Sequence, residues 1–158
     1  MVHRGIATLA LALMLCFLLL SHFDPQFFLL HFYESLIYLA ITLMLFYFED
    51  RWAYMLGIVA PTGWLLLTIA SGGFGEFIRQ ANELAHIKVP EYPPAFIGGV
   101  ITILSVALIA ICVRRWRREF KGVGKGLTTF LVSTGIVAVY YGLLVLWFWH
   151  SAAAPSHI

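Results

Sequence analysis

Charge is what this 158-residue chain has least of. Only 11% of its residues are Asp, Glu, Lys or Arg, ten basic against eight acidic. Soluble domains carry about 25%. Eighteen charged side chains cannot cover a water-facing surface of this size, and the mean hydropathy is +0.90. That excludes a soluble enzyme, a disordered chain and a coiled coil. Cysteine is scarce too. Two residues, Cys16 and Cys112, cannot build a disulfide framework. Nor can they pair with each other. Counted along the helices, Cys16 lies about 13 Å further from the arginine-rich side than Cys112, beyond the ~7 Å that a disulfide tolerates. Both read as small apolar fillers.

What the chain has instead is long apolar runs. Five segments, at about 6–23, 27–48, 52–70, 95–113 and 127–149, contain no Lys, Arg or Asp. A helix crosses the hydrocarbon core in about 20 apolar residues. A transmembrane barrel would show short alternating segments instead. The predicted fold is all-α: a single domain, a polytopic membrane bundle of five transmembrane helices.

The basic residues set the orientation. Arg114, Arg115, Arg117, Arg118, Lys121 and Lys125 cluster between the fourth and fifth segments. By the positive-inside rule that stretch is cytoplasmic. Arg4 and Arg51 then also lie inside, and Arg79 and Lys88 lie outside. The expectation is an N-terminus inside and a C-terminus outside, in a prokaryotic inner membrane. The basic stretch serves to fix topology or to hold anionic lipid heads. The opening MVHR plus apolar run resembles a signal peptide, but no A-x-A-like site follows. The first segment is therefore expected to remain.

The longest connection carries Phe74, Phe77, Ile78, Ala81, Leu84 and Ala85 at helical spacing. This predicts an interfacial amphipathic helix at about 74–88, on the outer side. Pro61 with Gly63 predicts a kink in the third helix. Small residues, among them Gly98 and Gly99 on the fourth helix and Gly135 and Gly142 on the fifth, are expected where helices approach closely.

Chemistry-bearing residues are few. Residues 122–126, GVGKG, fail the phosphate-loop pattern because Gly follows the lysine. No nucleophile–base pair is evident. His31-x-x-Glu34 and Glu83-x-x-His86 each place imidazole and carboxylate on one helix face. Such pairs, with His22 and His150 at helix ends, are candidate ligands for a metal or haem, although no cofactor is favoured. Glu34 is the one acid in the five segments. An ionisable group at such depth is a functional candidate by default. With no cation in any segment, it is expected to be neutral, hydrogen-bonded to Tyr38 or to a neighbouring helix. His31, Glu34, Tyr38, Thr102, Tyr140 and Tyr141 count to similar depth. They predict a polar pocket open to the outer side, built from the second, fourth and fifth helices.

The functional expectation is a small integral membrane protein acting as a non-catalytic accessory or structural subunit. A transporter or proton-conducting protein using Glu34 is the first alternative. A haem- or metal-binding redox protein using the outer histidines is the second. The expected partners are the lipid bilayer and other membrane subunits or further copies of the chain. Nucleic acid is not among them.

Overall fold

Uninterrupted apolar sequence leaves backbone amides with no solvent partner, and a helix satisfies them within one segment. The computed structural model describes residues 3–47, 50–72, 75, 78–79, 93–120 and 126–153. Among these there is no strand. Five helices are long and apolar enough to cross a membrane. They are α1 (His3–Phe23), α2 (Phe28–Phe46), α3 (Asp50–Ala70), α4 (Pro93–Glu119) and α5 (Gly126–Ala153). The predicted amphipathic helix at 74–88 falls almost wholly outside the described residues.

Short connections fix the neighbours. Asp24 N–H closes α1 onto the Leu20 carbonyl at 2.9 Å, and Pro25 opens a 3-10 turn, Pro25–Phe27, that leads into α2. Gly72 ends α3 with φ of +79°, a left-handed conformation that glycine adopts without penalty. We call the two ends of the bundle the histidine end, where α1 meets α2, and the arginine end, where α4 terminates.

The core is read off the buried positions. Ile6, Ala10, Leu13 and Phe17 recur every three or four residues on α1 and are fully buried. That stripe packs α1 against α2 and α4. Phe17 stacks on Tyr38 at 5.4 Å and meets Trp64 edge-on at 5.6 Å, joining α1, α2 and α3. Helix α3 packs against α2, α4 and α5. It runs through Pro61, whose missing N–H leaves the Gly57 carbonyl without its intrahelical donor.

Two expectations change. Two close approaches at glycine are on α3, where none was expected. A Cβ at Gly57 would lie 2.7 Å from Cys112 Sγ, and one at Gly63 would lie 3.2 Å from the Tyr141 ring. Gly98, Gly135 and Gly142 face open space. Composition marked small residues, but only the facing partner decides whether smallness is needed. The arginine stretch, expected to be a loop from residue 114, is helical as far as Glu119. Arginine is a good helix former, and cations suit a helix C-terminus. Arg115 also reaches Glu119 one turn on, at 3.4 Å. Lys121 and Lys125 lie outside the described residues. Cys16 and Cys112 are free thiols.

Candidate functional site

The predicted polar stripe of α2 sorts itself by what each side chain bonds. Ser35 Oγ donates to the Phe32 carbonyl at 2.6 Å, and Thr42 Oγ1 donates to the Tyr38 carbonyl at 2.9 Å. Such back-bonding satisfies a hydroxyl inside an apolar helix but leaves it no outward chemistry. His31, Glu34 and Tyr38 remain.

His31 Nδ1 lies 2.9 Å from Glu34 Oε2. One proton occupies that line, on the nitrogen or on the oxygen. The i,i+3 spacing places both groups on one face of α2, so the helix itself sets the geometry. The expected hydrogen bond from Glu34 to Tyr38 is not formed; the carboxyl is held by the imidazole. The side chains of His31 and Glu34 are 14% and 9% accessible. Both groups are therefore largely shielded from the surroundings. Nδ1 is occupied by Glu34, so Nε2 is the nitrogen left to exchange a proton with anything outside.

Three tyrosines surround the carboxyl. Tyr38, Tyr140 and Tyr141 all lie within electrostatic reach of Glu34. Tyr38 is fully buried, and Tyr141 is 5% exposed. The Tyr38 hydroxyl faces Ser105 of α4 and Tyr141 of α5 within interaction range. Yet none of these three hydroxyls makes a hydrogen bond of acceptable geometry. Ser133 and Thr134, further along α5 towards the arginine end, have buried hydroxyls in the same condition. Buried polar groups in native proteins are nearly always paired. Three hydroxyls, from α2, α4 and α5, thus meet beside the carboxyl–imidazole pair.

Tyr140 behaves differently. Its hydroxyl donates to the Tyr33 carbonyl, and the Tyr33 hydroxyl donates back to the Tyr140 carbonyl at 3.4 Å. The rings stack at 4.3 Å. Tyr140 thus ties α5 to α2 and frames the site without contributing a free hydroxyl.

The structure brings together His31, Glu34, Tyr38, Tyr140 and Tyr141. They form a cluster on α2 and α5, with Ser105 of α4 beside Tyr38. Thr102 lies three residues from Ser105, on the same face of α4. Its hydroxyl is spent on the Gly98 carbonyl at 2.9 Å, so Ser105 supplies the α4 group that Thr102 was expected to supply. Ser105 was within reach of sequence reasoning, being one turn along the Thr102 face. Tyr33 was not. It precedes Glu34 by one residue and so points well away from the polar stripe.

The candidate metal and haem ligands do not form a set among the described residues, where no group of three His, Cys, Asp or Glu side chains assembles. His22 packs edge-on against Phe23 at the end of α1. Glu83, His86 and the side chain of His150 lie outside the described residues. No protein-family model, curated protein or solved structure matches this chain.

Proposed function

We propose that this chain is an integral membrane protein that takes up and releases a proton at the His31–Glu34 pair, as a small proton-conducting or proton-coupled transporter. In this reading the five helices span an inner membrane, with the arginine end in the cytoplasm and the histidine end outside. The N-terminus is then inside and the C-terminus outside. The observation that carries the proposal is the 2.9 Å contact between His31 Nδ1 and Glu34 Oε2, buried beside the Tyr38 and Tyr141 hydroxyls.

The chemistry follows from the two ring nitrogens. A proton arriving from the outer water binds Nε2 of His31. The imidazolium formed then passes its Nδ1 proton to Glu34, leaving a neutral ring and a neutral carboxyl. No bond other than N–H and O–H is made or broken, and the ring is ready for the next proton once it reorients or exchanges. Inward of Glu34 stand Tyr38, Tyr141 and Ser105, whose hydroxyls both donate and accept. Hydroxyls so placed can hand a proton from one to the next. Intramembrane acids and histidines occur in such relays because nothing else in a dry bundle repays their cost.

The test is proton flux in proteoliposomes carrying an internal pH dye. Wild-type protein should collapse an imposed pH gradient, and Glu34→Gln, which keeps the shape but cannot carry the proton, should not. Flux in Glu34→Gln equal to wild type would remove the proposal.

A second reading, an accessory subunit of a membrane complex, draws support from α5. That helix leans on α3, and it leaves Leu131, Ile136, Val139 and Leu143 exposed. Co-purification of fixed companions in mild detergent tests it.

A further inference from the structure

The arginine end carries chemistry that a proton site does not use. Where α4 terminates, a groove of about 770 Å³ is lined by Val113, Arg114, Trp116, Arg117, Arg118 and Phe120. Arg114, Arg117 and Arg118 fall at i, i+3 and i+4, so one face of the helix presents three guanidinium groups. Arg115 points elsewhere and is answered by Glu119 at 3.4 Å. None of the other three has an acidic partner among the described residues. Trp116 and Phe120 close the groove, their rings tilted against each other at 4.8 Å. One to two turns deeper the lining becomes Val113 and Ala110.

We infer that this groove binds one anionic phospholipid. Three uncompensated cations at the edge of an apolar span call for a counter-charge. The planar guanidinium fork matches phosphate oxygens in pairs. The gradient along the groove, cations at the helix end and aliphatic side chains above, matches an amphiphile standing with its phosphodiester at Arg114 and Arg117 and its chains against Val113. Trp116 supplies the amphipathic ring that sits at headgroup level. The inference rests on the membrane-spanning part of the reading above and is independent of the proton site.

The test uses the full chain in nanodiscs of phosphatidylcholine, titrated with brominated phosphatidylglycerol or brominated phosphatidylcholine. Quenching of Trp116 is read as the difference from Trp116→Phe. The expected result is preferential quenching by the anionic lipid. Arg114→Gln and Arg117→Gln should each lower the preference about five-fold, the equivalent of ~1 kcal/mol per charge. Arg115→Gln, already neutralised by Glu119, should leave it unchanged. Arg114→Lys with Arg117→Lys keeps the charge and should retain most of the preference, which separates lost charge from lost fold. Equal quenching by both lipids, or a loss in Arg115→Gln as large as in Arg114→Gln, would overturn the proposal. So would displacement of the lipid by inorganic phosphate, which would make the site one for a soluble anion. A chain that fails to enter nanodiscs would contradict the membrane reading instead.

Discussion

Tyr33 and Tyr140 grip each other twice. Each hydroxyl donates to the other residue's backbone carbonyl across stacked rings 4.3 Å apart. The pair fastens α5 to α2 one residue from Glu34. Removing one hydroxyl as Tyr140→Phe should cost about 0.6 kcal/mol, the average for hydrogen bonds between membrane helices. The stacked rings remain, so Tyr33→Ala should cost more. Denaturation in mixed micelles, followed by circular dichroism, checks both. No change in Tyr33→Ala would mean that α5 is held by α3 alone.

Gly57 should not tolerate a side chain. A Cβ there meets Cys112 Sγ at 2.7 Å but Cys112 Cβ only at 3.8 Å. Gly57→Ala should therefore destabilise by about 1–3 kcal/mol through overpacking between α3 and α4. Cys112→Ala removes the offending sulfur. The double variant should recover most of the loss, a coupling that a double-mutant cycle reads directly. Additive losses would show that the two helices do not meet at this point.

Tyr38→Phe should be nearly neutral for stability. Its hydroxyl is buried without a formed hydrogen bond, and deleting an unsatisfied polar group removes a desolvation penalty instead of a bond. The same variant should slow proton flux, because the hydroxyl stands next inward from Glu34. A stability loss well above ~1 kcal/mol, the size of a typical net hydrogen bond, would mean that the hydroxyl is bonded to Ser105 or Tyr141.

The sequence made some of this legible and hid the rest for definite reasons. Five helices could be placed because a run of about 20 apolar residues is a signal in itself. The His31–Glu34 pair was visible because an i,i+3 offset on one helix needs no knowledge of any neighbour. Which face of each helix is inward was not visible. A helix apolar on every side, such as α5, gives no contrast between lipid and protein, so Tyr33 and Gly57 could not be singled out. Each matters only because of a partner on another helix: Tyr140 and Cys112. The end of α4 was misjudged for the converse reason. Charge was read as the end of a helix, although arginines extend one readily when an acid waits four residues on.

The central claim is that the His31–Glu34 pair exchanges a proton with the outer water. Infrared difference spectroscopy of the reconstituted protein, with the pH of the outer water stepped, tests it most directly. The account predicts one carboxyl C=O band that responds to pH, shifts in D2O and is absent from Glu34→Gln. In His31→Leu that band should lose its pH response. A spectrum in which Glu34→Gln removes no pH-dependent carboxyl band would contradict it.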